Sequence, residues 1–217
     1  MEPMKITNFE LYDIVTNGDQ EEINSLETLE LQGWVKTNRD NGSIGFVEFN
    51  DGTYFKSVQL VYTDKCQNHD VLSSLKTGAA ITVTGKLVLT PENKQPFEIA
   101  VESCVLEGDV ADDYPLQKKR HSFEFLREIA HIRPRANTFQ AVYRVRSVLS
   151  FAIHEFFQNN GFIYVHTPLI TTNDGEGAGN VFDVVTHDTK DPNSFYGRKV
   201  NLTVTGQLHV EPFALAF

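Results

Sequence analysis

Eight basic side chains crowd one short stretch of an otherwise acidic chain. They are Lys118, Lys119, Arg120, Arg127, Arg133, Arg135, Arg144 and Arg146, and only Glu124 and Glu128 oppose them between residues 118 and 146. Such a concentration of cations suits the holding of phosphates, because each base that neutralises a phosphate releases condensed counterions. The same composition also fits a solvated linker running into a helix. Overall the chain has 19 Lys and Arg against 29 Asp and Glu, a net charge of −10. That balance argues against a protein that coats nucleic acid without selectivity. Residues 173–180, NDGEGAGN, are glycine-rich, yet they match neither the P-loop pattern nor the dinucleotide fingerprint. His69, His121, His131, His154, His166, His187 and His209 show no ligand spacing, and Cys66 and Cys104 form no CxxC, so no metal site is expected.

These groups need a scaffold, and 217 residues with 41% hydrophobic content can build one large domain or two modest ones. No apolar run reaches the roughly 18 residues of a membrane span. Residues 1–19 lack a basic segment followed by an apolar one, so no secretory signal is expected. The two cysteines then read as reduced packing residues, and the chain as cytoplasmic with no membrane partner.

Period-two alternation marks the first part of the chain. Leu29, Leu31, Gly33 and Val35 fall on one face, with Glu30, Gln32 and Trp34 on the other. Further strands are expected over 43–50, 56–62, 80–89 and 97–106, with turns at 40–42 and 51–52. A short helix over 71–76 is expected between the third and fourth strands, capped by Asp70 and stopped by Gly78. The order β-β-β-α-β-β is that of the OB-fold, a five-stranded barrel that commonly binds oligonucleotides. Order alone equally allows another small barrel without a ligand.

Past residue 136 the period changes. Asn137 can cap a helix with Gln140 in the third position, and Val142, Val145, Leu149, Ile153 and Phe156 form a stripe at helical spacing. Residues 159–161 end it, with Gly161 in the left-handed terminal position. Strand-like runs follow at 162–165, 181–185 and 201–205, with Pro168 barring a ladder bond.

Several of these segments resemble the class II aminoacyl-tRNA synthetases of the aspartate, asparagine and lysine group. The likeness rests on 114–135, YPLQKKRHSFEFLREIAHIRPR, on 33–52, GWVKTNRDNGSIGFVEFNDG, with Val58 and Gln59, and on 202–211, LTVTGQLHVE. It implies an OB-fold β-barrel followed by the first part of an α+β catalytic domain built on an antiparallel sheet. The expected division is 1–112 for an N-terminal extension and barrel, 113–136 for a hinge, and 137–217 for a partial catalytic domain. In that family Phe46 would stack on an anticodon base and Gln59 would contact a uracil edge, with Arg39 and Glu98 near the same groove. Taken without the resemblance, Phe46 reads more readily as a core residue of the barrel. Lys119 and Arg120 would hold the tRNA backbone.

The helix and strand over 138–168, ending on Pro168, resemble motif 1 and imply a homodimer. Residues 173–180 resemble the loop that closes over the amino acid, which places Glu176 against the substrate ammonium. Gln207 would bind the substrate's backbone end and Glu211 its side chain. Thr205-Gly206-Gln207-Leu208 resembles the asparaginyl branch, in which glycine stands where the aspartyl branch has proline. The resemblance thus implies ATP-dependent joining of asparagine to tRNA, with Mg²⁺ accompanying ATP. Motifs 2 and 3 do not occur in these 217 residues. The chain alone is therefore expected to bind neither ATP nor Mg²⁺, to contain no catalytic residue and to be inactive. A non-catalytic RNA-binding paralogue and an aspartyl enzyme remain as alternatives.

Overall fold

The computed structural model describes residues 2–93, 95–175, 177, 181–185, 191 and 196–217. It divides into two units, Met1–Arg146 and Ser147–Phe217.

The first unit opens with a two-residue strand, β1 (Met4–Lys5), and two short helices, α1 (Asn8–Asn17) and α2 (Gln20–Asn24). Both helices begin on a capping box, Thr7 with Glu10 and Asp19 with Glu22, which satisfies amide groups otherwise left open at a helix start. No helix was expected here. α1 buries Leu11 and Tyr12, and the Tyr12 hydroxyl donates to the Ser57 carbonyl at 2.8 Å.

The barrel follows. Its strands are β2 (Leu29–Asp40), β3 (Ile44–Asn50) and β4 (Val58–Thr63), then helix α3 (His69–Ser74), then β5 (Ala80–Leu89) and β6 (Phe97–Gly108). β2 is antiparallel to both β3 and β5, β4 lies parallel to β6, and β5 to β6 pairing completes the circuit. This is the expected five-stranded OB-fold. Leu29, Leu31, Val35, Val47, Phe49, Leu60, Ile81, Val83 and Ile99 fill its interior, each at most 1% exposed. The alternation in β2 is as expected as far as Val35. Closing the sheet on itself leaves only the barrel rim and β1 as edges.

The details of α3 differ from expectation. Asn68, not Asp70, precedes the helix, in the left-handed region at φ 63°, and its amide donates to the Cys104 carbonyl. Gly78 lies beyond the helix end, at φ 95°, where a Cβ would sit 2.7 Å from the Tyr114 ring. Its role is close approach between the barrel and the hinge.

Beyond the barrel come α4 (Phe123–Glu128), a 3₁₀ turn at Arg133–Arg135 and the long α5 (Asn137–Asn159). Asn137 is already helical, so it does not serve as the cap. Leu116, Leu126 and Phe139 form a small second core under Tyr114, Phe125 and Ile129.

In the second unit Gly161 ends α5 at φ 81°. Phe162 donates to the Phe157 carbonyl and Gly161 to the Gln158 carbonyl, the paired bonds of a Schellman ending. Residues 162–165 form no strand. The described strands are β7 (Ile170–Thr171) and β8 (Asn201–Leu202), antiparallel, with a single bridge from Asp183 to Asn201. The runs expected at 181–185 and 201–205 are thus reduced to a bridge and two residues among those described. α6 (Gln207–Ala214) closes the unit.

Candidate nucleic-acid interface

A bulge in β2 decides which side chains face outward. The pairing of β2 with β3 slips between Val35 and Thr37, so Lys36 is an extra residue in the ladder. Val35 opposes Phe49 in the core, while Thr37 opposes Glu48 and Arg39 opposes Phe46. An odd residue in a period-two element reverses the faces that follow it. The reversal places Thr37 and Arg39 on the outer face. Phe46 is half-buried there, between the inward Gly45 and Val47.

The strip continues across the barrel. Glu48 opposes Gln59 on β4, and the Gln59 amide donates to Glu98 on β6 at 3.2 Å. The Thr37 hydroxyl donates to Glu48 at 3.4 Å. Arg39, Phe46, Gln59 and Glu98 thus share one contiguous outer surface. It offers one aromatic ring, one amide with an acceptor and a further N–H, two carboxylates and a guanidinium. A ring on a barrel surface stacks on any base, and an amide flanked by carboxylates reads base edges. Thr37 and Glu48 complete the strip and were not anticipated, because their facing depends on the bulge.

Seven of the eight bases fall into two sets, with Arg146, exposed on α5, outside both. Arg127 lies over the Phe123 ring at 5.7 Å, Arg133 over Phe139 at 4.8 Å and Arg135 over Trp34 at 5.4 Å. Arg133 also donates to the Tyr143 hydroxyl, Arg135 to that of Tyr114, and Arg144 to the Gly52 carbonyl at 2.6 Å. These four arginines fasten the hinge and the start of α5 to each other and to the barrel. Lys118, Lys119 and Arg120 are exposed and have no ion pair or hydrogen-bonded side chain among the described residues. They line one side of a cleft of about 1020 Å³, with Trp34, Lys36 and Arg135 among its other walls. The Lys36 ammonium donates to the Arg135 carbonyl at 2.6 Å. Burial holds its pKa below the ordinary lysine value, with Arg135 adding to the effect and Glu48 opposing it.

In the second unit Gln207 and Glu211 lie one turn apart on α6, and the Gln207 amide donates to the Glu211 carboxylate at 3.3 Å. The Thr205 hydroxyl accepts from the Gln207 backbone N–H at 3.2 Å, just before the Gly206 cap of α6. A Cβ on Gly206 would approach the Thr167 hydroxyl to 2.7 Å, which explains glycine there. Glu176 lies outside the described residues. Pro168 is exposed, two residues before β7. α5 buries only Phe139 among its residues. Val145, Val148, Leu149, Phe151, Ile153 and Phe156 are all more than half exposed, a concentration of apolar side chains of the kind that marks an interaction surface. Among the described residues no three His, Cys, Asp or Glu side chains gather to hold a metal. None of the described helices is long and apolar enough to cross a membrane.

Two family models match the chain, the second across the division between the units. Residues 29–107 match the OB-fold nucleic acid binding domain family, and residues 122–216 match the class II tRNA synthetases (D, K and N). The asparagine–tRNA ligase of Clostridium acetobutylicum is 54% identical over 198 residues, which cover 86% of this chain and 43% of that protein. That of Desulfitobacterium hafniense is 48% identical over 202 residues, 88% of this chain and 44% of that protein. The chain therefore spans less than half the length of these curated relatives. The fold is shared with the asparaginyl-tRNA synthetase of Pyrococcus horikoshii complexed with asparaginyl-adenylate, at a TM-score of 0.74 and 22% identity over 90% of this chain and 44% of that one. It is shared also with a putative aspartyl-tRNA synthetase from Leishmania major, at 0.67 and 15% over 96% and 40%.

Proposed function

We propose that this chain, which belongs to the class II tRNA synthetases of the D, K and N group as a homologue of the asparagine–tRNA ligases, works in a protein that attaches asparagine to its tRNA with ATP. The observation that carries this is the outward strip Arg39, Phe46, Gln59 and Glu98 on a barrel of the matching family. Phe46 stacks on an anticodon base, and Gln59, its amide steadied by Glu98, reads a base edge. Lys119 and Arg120 hold the tRNA backbone. The functional division is 1–112, 113–136 and 137–217.

Asparagine would be met by Glu176 at its ammonium, by Gln207 at its backbone end and by Glu211 at its carboxamide. A carboxylate at 211 accepts from the carboxamide NH₂ and repels aspartate, so it discriminates by charge. Glu211 and Gln207 are already hydrogen-bonded to each other, which orients both. ATP with Mg²⁺ would supply the adenylyl group that activates the amino acid carboxylate, with pyrophosphate as the leaving group. The described residues gather no ligand set for the metal, so none of the roles assigned to them runs through it. The exposed apolar side chains of α5, with Pro168, supply a homodimer contact. The two unpaired thiols suit the cytoplasm.

Asparagine-dependent ATP–pyrophosphate exchange by the complete protein, set against aspartate, tests the reading. Exchange with aspartate instead would favour the aspartyl enzyme. No exchange with either, alongside retained RNA binding, would favour a non-catalytic RNA-binding paralogue.

A further inference from the structure

We propose that Lys36 is a positioning residue that locks the hinge and the first turn of α5 onto the barrel, and that Glu48 makes this lock respond to RNA on the barrel's outer face. The coupling half rests on the reading of that face as an RNA site. Lys36 is the bulge residue of β2, freed from the ladder alternation that commits its neighbours to one face or the other. Its ammonium spans 99 positions of sequence to the carbonyl of Arg135, at 2.6 Å, and lies 3.4 Å from the Asn137 side chain. Arg135 ends the 3₁₀ turn and Asn137 begins α5, so one cation ties together the last hinge residues and the helix start.

Glu48 connects the lock to the outer face. It opposes both Thr37 and Gln59, accepts from the Thr37 hydroxyl and lines the cleft that contains Lys36. Its charge is the one that favours the protonated lysine against burial and against Arg135. The ammonium thus has the Arg135 carbonyl as its hydrogen-bond acceptor, with Glu48 on the wall of the same cleft as a counter-charge at longer range. A base that donates an N–H to Glu48 draws on that carboxylate. The ammonium is then left more fully to Arg135 and Asn137, and the lock tightens. Occupancy of the outer face is thereby felt at residues 133–140 without movement of the barrel core.

Amide hydrogen exchange on the 217-residue chain tests this, with an RNA stem-loop carrying an asparagine anticodon as the probe and residues 58–63 of β4 as the internal reference. Without RNA, Lys36→Met should speed exchange over 133–140 by about tenfold relative to β4, since it removes a hydrogen bond from a charged donor. Lys36→Arg should restore slow exchange. RNA should slow exchange over 133–140 in the unmodified chain but not in Lys36→Met, although both bind the RNA with similar affinity by fluorescence anisotropy. Glu48→Gln should exchange slowly over 133–140 even without RNA and show no further slowing with it. Unchanged exchange in Lys36→Met, or equal acceleration of β4, would overturn the lock. Equal RNA-dependent slowing in Lys36→Met would overturn the coupling. If the unmodified chain fails to bind the stem-loop, the RNA reading of the face fails and takes the coupling with it, while the lock stands or falls on the exchange of Lys36→Met and Lys36→Arg without RNA.

Discussion

Phe46 and Phe49 stand three positions apart on β3, and the fold assigns them opposite faces. Phe49 is fully buried and Phe46 is half-buried on the outer surface. Truncating each to alanine separates folding from recognition. Phe49→Ala removes a ring from a packed interior and should cost about 3–5 kcal/mol of stability. Phe46→Ala leaves no enclosed cavity, so its stability cost should stay near 1 kcal/mol or below, close to that of ordinary surface changes. Its effect belongs in RNA binding instead. Loss of one base–aromatic stack is worth about 1–3 kcal/mol, roughly a 5- to 150-fold weaker Kd.

The assay is a urea melt of each variant, analysed by linear extrapolation, paired with anisotropy of an asparagine anticodon stem-loop at one fixed salt concentration. The predicted pattern is a large melt shift for Phe49→Ala, and a small shift with a large Kd change for Phe46→Ala. Equal melt shifts would refute the assigned facing of β3. An unchanged Kd for folded Phe46→Ala would remove the ring from the RNA site.

Three further outcomes follow from the same geometry. Gln59→Glu sets a carboxylate beside Glu98, where an amide now donates at 3.2 Å, so stem-loop affinity should fall about tenfold or more. Adding Glu98→Gln should recover part of it, and no recovery would mean the two side chains act independently. Reversing Lys119 and Arg120 to Glu should flatten the salt dependence of binding by about 0.7–0.9 in log–log slope for each lost phosphate contact, and an unchanged slope would mean both are merely solvated. The barrel should weaken in alkali. Burial, with Cys66 nearby, pushes the Cys104 thiol up to about 12, and burial also raises Tyr12 and Tyr62. The unfolded chain then loses these protons first. Stability held below pH 9 should decline as pH rises from about 9 towards 12, and a urea midpoint flat over pH 8–11 would contradict the burial of these groups.

Much of the barrel was legible because period two and turn residues are local signals. Leu29, Leu31 and Val35 point inward as their spacing requires. Beyond Val35 the alternation no longer reads correctly, since a bulge adds a residue without any mark in the polarity pattern. The facing of Arg39, and the membership of Thr37 and Glu48 in the strip, follow only from the observed register. The Gln59 to Glu98 bond was equally out of reach, because it depends on a parallel pairing across 39 positions. The two N-terminal helices had visible signals, Thr7 with Glu10 and Asp19 with Glu22, that composition alone obscured. The expected strand at 162–165 failed for another reason. Its aromatic run suggested a strand, but Phe157 packs on Phe162 and His154 on Tyr164, so the run folds back beside the end of α5 instead of entering a sheet.

The basic cluster shows how far a charge count can mislead about recognition. Eight cations between 118 and 146 suggest eight phosphate contacts, and a salt slope for RNA binding near −6 or −7. Four of them are committed elsewhere. Arg127, Arg133 and Arg135 lie over aromatic rings, and Arg144 holds a carbonyl of the barrel. A guanidinium stacked on a ring and hydrogen-bonded through its edge reaches a phosphate only by giving up those contacts, each worth about 0.5–1 kcal/mol or more. Lys118, Lys119 and Arg120 have no such commitment, and they sit side by side on the wall of the cleft, while Arg146, the eighth, stands exposed on α5 away from it. Their share of the slope is between about −2 and −3. A measured slope in that range would fit arginines that build the hinge and a short basic run that meets the RNA. A slope near −7 would mean that the hinge arginines leave their rings when RNA binds, and that the hinge is remade in the complex.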